Sequence, residues 1–188
     1  MPVRNMPTEK NNQVKTDDNL FLQPLPLESD TTILSAIIET IFQLSTHPII
    51  SSKRPAQEKW QRIILFNIMI SIALSIIRWA GLSSDNFYLS TLTTLKIIIF
   101  FNAWSFLVPY ALISLYCKKL VPAYIVFRAV TLASFYCIFI GTIILIPISV
   151  WFYYEFYTTS IKVSLNIPLW MVYFSILLSH ILMFNYMS

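Results

Sequence analysis

The stretch IIIFFNAWSFLVPYALISLYC, residues 97–117, determines how the rest of this chain is interpreted. It holds no charged side chain and lies between Lys96 and Lys118. A helix needs about 20 mostly apolar residues to cross the ~30 Å hydrocarbon core of a bilayer. The stretch therefore predicts a transmembrane helix.

Three other stretches have the same character, at about residues 63–79, 127–153 and 167–187. The stretch 127–153 is long for one crossing, and Pro147 would allow a fifth, re-entrant segment. We expect one helix that accommodates its length by tilting. The sequence thus predicts an all-α integral membrane protein, a bundle of about four transmembrane helices with five possible, spread over residues 63–188.

Composition agrees with a membrane protein and excludes several other classes. Of the 188 residues, 56% are hydrophobic and 12% are charged, against ~45–50% and ~25% in a soluble domain. The net charge of +4 is not gathered into the dense basic patch that nucleic-acid binding requires. We expect the lipid bilayer and other membrane protein subunits as partners, and no nucleic acid.

Basic residues are concentrated before the first predicted span and between the second and third. Cytoplasmic loops of membrane proteins carry an excess of Lys and Arg. Both termini are therefore predicted to be cytoplasmic, in a bacterial inner membrane or a eukaryotic endomembrane. Residues 1–30 have no apolar core, so we expect no cleavable signal peptide. The basic residues concerned are Lys53, Arg54, Lys59, Arg62, Lys118 and Lys119.

The segment before the first span divides into three parts. Residues 1–29 have few core-forming side chains and are predicted to be disordered. Asp30 resembles a helix N-cap, and apolar residues at i, i+3 and i+4 spacing then predict an amphipathic interfacial helix over 30–46, followed by a basic linker over 47–62. The polar face lacks the basic residues that bind anionic lipid, so we expect the helix to pack under its own bundle or against a partner. Its apolar face consists of Ile33, Leu34, Ile37, Ile38, Ile41 and Phe42.

Asn67, Asn102 and His180 are the candidate polar contacts inside the membrane, where polar groups are costly and often functional. We expect His180 to make an interhelical hydrogen bond. Asn102 and Pro109 fit either a proline kink covered by a neighbouring helix or a kink with freed carbonyls, as at transport sites. No Asp or Glu lies within the four predicted spans. That absence disfavours a proton-coupled or sodium-coupled transporter.

No arrangement of residues indicates catalysis or cofactor binding. The sequence has no GxSxG motif, and no acidic residue lies near His180. Cys117 and Cys137 lack CxxC spacing and do not form a zinc motif. We therefore expect no catalytic residue, no metal, no cofactor and no enzymatic activity.

The order of features resembles the YIP domain family of polytopic membrane proteins. The features are a polar N-terminus, an amphipathic helix ending at the step Thr46–His47–Pro48, a basic approach and an apolar bundle. The likeness is one of layout and covers about residues 33–187. It implies a role in membrane trafficking and usually five spans, one more than we expect here. The family has no catalytic motif, and its GTPase-binding role is not assigned to any residue of this chain.

Three functions are consistent with these observations. The first is a non-enzymatic membrane scaffold, trafficking or complex-assembly protein that acts through helix packing and its cytosolic N-terminal segment. The second is a small transporter or channel component that uses Asn102, Pro109 and His180 along a polar path. The third is a toxin-immunity-type membrane protein, which agrees with the chain in size and span number.

Overall fold

The computed structural model describes residues 23–57, 59–82, 87–141 and 145–187, and all regular structure within these ranges is helical. Three elements precede the bundle: the 3-10 helix η1 and helices α1 and α2. Six elements form the bundle: α3, α4, α5, the 3-10 helix η2, α6 and α7. In chain order they are η1 (Pro26–Glu28), α1 (Ile33–Thr46), α2 (Pro48–Ser52), α3 (Trp60–Leu82), α4 (Phe87–Cys117), α5 (Ala123–Ser134), η2 (Phe135–Gly141), α6 (Ile146–Leu165) and α7 (Leu169–Met187).

Three of the described helices are long and apolar enough to cross a membrane. The apolar windows are Trp60–Ile77 in α3, Leu95–Cys117 in α4 and Leu169–Tyr186 in α7. They coincide with three of the four predicted spans. The all-helical membrane class is therefore confirmed by length and composition.

The prediction of one long helix over 127–153 is wrong. α5 and η2 end at Gly141, and α6 begins at Ile146. The Arg128 guanidinium contacts Ser160, and the Tyr136 ring stacks on Phe152. Arg128 comes before Tyr136 in the chain, whereas its partner Ser160 comes after Phe152. The two segments therefore run antiparallel. Pro147 lies in the first turn of α6, where proline favours the start of a new helix.

Side-chain pairs fix the direction of α3 relative to α5. Near the starts of both helices, the rings of Trp60 and Tyr124 lie 5.3 Å apart between centroids. Seven residues further along each helix, Asn67 Nδ2 donates to Thr131 Oγ1 at 3.1 Å. The two helices therefore run parallel.

Helix α4 runs the opposite way. Phe106 contacts Phe127, with 5.8 Å between ring centroids. The earlier residue Asn102 accepts a hydrogen bond from the later residue Ser134. α4 is therefore antiparallel to α5, and its C-terminal end lies beside the start of α5.

Helix α7 runs antiparallel to α4. The rings of Tyr116 and Trp170 lie 6.0 Å apart, and those of Phe100 and Tyr186 lie 5.8 Å apart. The segments α3, α4, α5–η2, α6 and α7 thus alternate in direction. Trp60 and Tyr186 lie at opposite ends of the bundle. The prediction that both termini are cytoplasmic rested on four spans, and it stays a prediction.

The predicted disorder of residues 1–29 is corrected for residues 25–28. Leu25, Leu27 and Glu28 are buried, and Leu25 and Leu27 belong to the hydrophobic core. The Pro-Leu-Pro-Leu pattern keeps this short segment extended or 3-10 helical, so both leucines reach the bundle. Residues 1–22 lie outside the described part of the chain.

The predicted linker over 47–62 contains more structure than expected. Its first part forms α2, which packs on α6, and Ser51 and Ser52 are buried. Arg54 is also buried, and its guanidinium donates to the side-chain oxygen of Gln43 on α1. Arg54, which follows α2, therefore binds α1 instead of extending toward lipid headgroups.

Candidate functional site

Asn67 and Asn102 both bond to α5. Asn67 donates to Thr131, and Asn102 accepts a hydrogen bond of 2.9 Å from Ser134, one turn further along α5. Asn102 is 8% exposed. The two asparagines attach α3 and α4 to the same stretch of α5. Their side chains hold helices together and have partners in the bundle.

His180 belongs to α7 and faces α4 and α6. Its Nδ1 is 2.9 Å from the hydroxyl of Tyr154, and its ring stacks on Phe101 with 5.6 Å between centroids. It is nearly buried. The structure therefore does not bring His180 together with Asn67 or Asn102, and places it in an interhelical hydrogen bond.

Pro109 interrupts the hydrogen bonding inside α4. Proline has no N–H, so the carbonyl of the residue four positions earlier loses its helical partner. That residue is Ser105, and the buried hydroxyl of Tyr157 on α6 donates to its carbonyl oxygen. The carbonyl freed by Pro109 is thus covered by a neighbouring helix. This is one of the two arrangements that the sequence left open.

Arg128 and Glu28 form an ion pair whose two side chains are completely buried. Arg128 lies five residues from the start of α5 at Ala123, or about 8 Å along the axis at 1.5 Å per residue. Its Nε and Nη2 donate to the Glu28 carboxylate. The Tyr124 hydroxyl, one turn earlier, donates to Glu28 Oε1 at 2.6 Å. Three donors from α5 therefore converge on one carboxyl group.

The other side of the guanidinium is held by separate groups. Nη1 donates to Ser160 Oγ on α6 at 3.0 Å, and Nη2 lies 3.5 Å from the carbonyl oxygen of Pro55. An unpaired charge in such a site would be very costly, because burial removes its hydration. Glu28 supplies the compensating charge.

The sequence did not predict this pair. Glu28 lay in a segment expected to be disordered, and Arg128 had no assigned partner. One signal was present: an arginine inside an apolar run needs an acidic or carbonyl partner. Nothing in the sequence identified which acidic residue, since Glu28 and Arg128 are a hundred positions apart.

An exposed ion pair lies close by. Lys59 Nζ is 2.8 Å from Asp30 Oδ1, and the Asp30 side chain is 97% exposed. The hydrogen bond from Lys59 and its positive charge lower the pKa of Asp30. The helix α1 begins at Ile33, two residues too late for Asp30 to be its N-cap. That position belongs to Thr32.

The N-terminal helix presents a different face to the bundle from the predicted one. Its buried residues are Ala36, Ile37, Thr40 and Leu44. Thr40 faces inward because its Oγ1 accepts the backbone N–H of Leu27 at 2.9 Å. Of the predicted face, Ile37 is buried and Ile41 is half-buried. The exposed ones are Ile33, Leu34, Ile38 and Phe42.

Three of these exposed residues form a continuous stripe along the helix. Leu34, Ile38 and Phe42 recur every four residues and are 68%, 59% and 62% exposed. We call these three residues the outer stripe of α1. The exposed residues beside it, Ser35 and Glu39, are polar. The outward surface of α1 is therefore half apolar and half polar.

Among the described residues, no three His, Cys, Asp or Glu side chains are grouped so that they could hold a metal ion. Cys117 and Cys137 are free cysteines on different segments, and both are half-buried.

Comparison with protein-family models, curated proteins and solved structures finds no match to this chain.

Proposed function

We propose that this protein is a non-enzymatic multi-pass membrane protein that acts as a scaffold, trafficking or complex-assembly component. The observation that carries the proposal is the buried Glu28–Arg128 pair, which fixes the N-terminal segment on the bundle. Fixing this segment also fixes α1, because Leu27 bonds to Thr40. The outer stripe of α1 is then held in a defined position, as a partner-binding surface requires.

The polar interior supports the same proposal. Asn67, Asn102 and His180 each have a hydrogen-bond partner on another helix. Side chains that line a transport path would instead face an open route or one another. The interior polar groups act here as interhelical contacts, which typically contribute ~0.6–2 kcal/mol each in membranes.

The number of alternating segments also supports the proposal. The YIP resemblance implies about five spans, and the bundle has five alternating segments. We infer that α5–η2 and α6 cross the membrane together with α3, α4 and α7. The family assignment itself stays a prediction.

We infer that the end of the bundle at Trp60 faces the cytoplasm. Arg62, Lys118, Lys119 and Lys162 lie at or near this end, as the helix directions require. The excess of basic residues on the cytoplasmic side then orients the bundle. The end of α7 lies on the opposite side of the membrane.

A second candidate is a small transporter or channel component, and Glu155 is the observation that favours it. Glu155 lies in the middle of α6, half-buried, and accepts a hydrogen bond from Thr159 at 3.1 Å. The sequence reading placed no carboxylate within a span because the third span was expected to end before this residue. A carboxylate at membrane depth is a functional candidate by default.

One experiment compares the two functions. The full chain is purified from its native membranes in mild detergent, as wild type, as the triple variant Leu34→Ser, Ile38→Ser, Phe42→Ser, and as Asn102→Leu. The scaffold proposal expects the triple variant to lose a co-purifying membrane subunit that Asn102→Leu retains. If the triple variant keeps its partners while Glu155→Gln or His180→Leu abolishes solute flux in liposomes, the transport alternative replaces the proposal.

A further inference from the structure

The groups around Arg128 have the arrangement of a carboxylate receptor. Nε of Arg128 and the hydroxyl of Tyr124 donate to one carboxylate oxygen, and Nη2 of Arg128 approaches the other at 3.4 Å. Guanidinium groups bind carboxylates through just such paired N–H donors, and these charge-assisted bonds are stronger than neutral ones. The carboxylate of Glu28 occupies this receptor, and its side chain is completely buried.

The residues that surround the carboxylate all belong to the bundle, on α5 and α6. Tyr124 and Arg128 are four residues apart on α5, so they lie on one helical face. Ser160 on α6 accepts from Nη1, and this bond holds the plane of the guanidinium in place. The donors are therefore preorganised by two packed helices.

The carboxylate, in contrast, is delivered by a short segment from outside the bundle. η1 is three residues long, and its hydrogen bonds cannot stabilise it alone. Leu25 and Leu27 are buried on either side of Pro26, and Glu28 follows directly. This segment has the form of a bound peptide: two apolar anchors and one acidic group that enters a basic site.

We infer that Tyr124, Arg128 and Ser160 form a carboxylate-binding site on the bundle, for which Glu28 is a ligand supplied by the same chain. The ligand class is a carboxylate carried by an apolar segment. A free carboxylate ion occupies the site when the side chain of residue 28 no longer does. Occupancy of the site also positions α1, since η1 and α1 are joined by the Leu27–Thr40 bond. This inference concerns the bundle itself and does not depend on the scaffold role.

The test is chemical rescue of the full-length Glu28→Ala variant in detergent. Truncation to Ala leaves a space where the carboxylate was, and Arg128 is left buried without its counterion. We expect this variant to melt at a lower temperature than the wild type. Sodium acetate at neutral pH should raise its Tm progressively with the logarithm of concentration, as a ligand that binds only the folded state does. Sodium chloride at equal ionic strength and the neutral isostere acetamide should not.

Matched variants separate site binding from a general salt effect. The double variant Glu28→Ala, Arg128→Met should show no acetate response, because the receptor is gone. Asp30→Ala removes an exposed carboxylate two residues away and should also show none. An equal acetate shift in the wild type, the single variant and the double variant would overturn the inference.

A variant that fails to fold is also informative. Glu28→Ala is then expressed and purified in parallel in acetate and in chloride, and the yield of monodisperse protein is measured. The inference expects a higher yield in acetate. Equal yields, or an unchanged Tm of a folded variant at every acetate concentration, contradict it. Because no partner is present in these measurements, failure here is distinct from failure of the scaffold proposal.

Discussion

Arg128 and Glu28 each have a completely buried side chain. Each supplies the opposite charge without which burial of the other would be very unfavourable. A buried ion pair is weak grounds for stability in itself, because both charges lose their hydration. What the pair fixes is position, since the Glu28 carboxylate is held by donors of Tyr124 and Arg128 on α5. At the scale of single residues, this pair determines where the N-terminal segment docks.

We predict that Arg128→Met alone lowers the free energy of unfolding by about 3–5 kcal/mol, because it leaves Glu28 buried without a counterion. The double variant Glu28→Leu, Arg128→Met should recover most of this loss. Denaturant unfolding in mixed micelles measures Arg128→Met, Glu28→Leu and the double variant, and a double-mutant cycle gives the coupling energy of the two residues. Additive losses would show that the two residues act independently.

A second residue-scale prediction concerns the carbonyl freed by Pro109. Tyr157→Phe removes the hydroxyl that donates to the Ser105 carbonyl while it keeps the buried ring. We expect a loss of about 1–2 kcal/mol, the range for leaving a buried polar group without its hydrogen bond. Thermal unfolding in detergent measures it, with Tyr173→Phe on the exposed side of α7 as control. A loss no larger than that of the control would argue against this contact.

The stability contributed by the exposed Asp30–Lys59 pair should depend on pH. Lys59 lowers the pKa of Asp30 below its ordinary 3.8. A lowered pKa in the folded state gives stability that is present above pH 3.8 and is lost as pH falls through the folded pKa. The Tm difference between wild type and Asp30→Asn should therefore be small at neutral pH, begin to shrink as pH falls below 3.8, and vanish once pH is below the lowered pKa of the folded state. It should also shrink with salt, since exposed charges are screened. A difference that grows on acidification would contradict this.

At the scale of elements, the sequence predicted α3, α4 and α7 because each is an apolar run bounded by charged or aromatic residues. It did not predict the division into α5–η2 and α6. The run from Ala129 to Tyr153 is uncharged throughout, so its length was the only guide to the number of crossings. Glu155 and Lys162 fall within α6, which shows that charged residues did not mark its end.

Sequence periodicity also could not predict which face of α1 packs on the bundle. Spacing predicted a helix over 30–46, and α1 occupies Ile33–Thr46. The apolar residues of α1 cover more than half of its circumference, so hydrophobicity alone does not select one face. The inward face carries the small Ala36 and Thr40, and the bond of Thr40 is made to Leu27 of the docked segment.

The two faces of α1 should therefore respond differently to truncation. Leu44 is fully buried and Phe42 is 62% exposed. Leu44→Ala should cost about 2–5 kcal/mol of stability, the range for a core Leu. Phe42→Ala should change the Tm of the purified protein little and reduce partner retention instead. Comparable losses of Tm for both would show that Phe42 packs inside the protein.

At the scale of the whole molecule, the number of alternating segments determines at which end of the bundle the last helix, α7, ends. Four spans would return the C-terminus to the side of the N-terminal segment. The five alternating segments place Trp60 near one end and Tyr186 near the other. The hairpin of α5–η2 and α6 is responsible for the difference, and Arg128 lies in it beside Glu28. Docking of the N-terminal segment and the topology are thus linked through one pair of helices.

This topology is testable in intact membranes. We predict that a reporter placed before residue 23 and one placed after residue 188 lie on opposite sides of the membrane, with the N-terminal reporter cytoplasmic. Protease protection of two epitope tags in sealed, right-side-out vesicles gives the sidedness, and permeabilised vesicles are the control. A cleavable tag between α4 and α5, beside Lys118 and Lys119, should follow the N-terminal reporter. If both terminal reporters lie on the same side, the number of crossings is even, and one of the five alternating segments does not span the membrane.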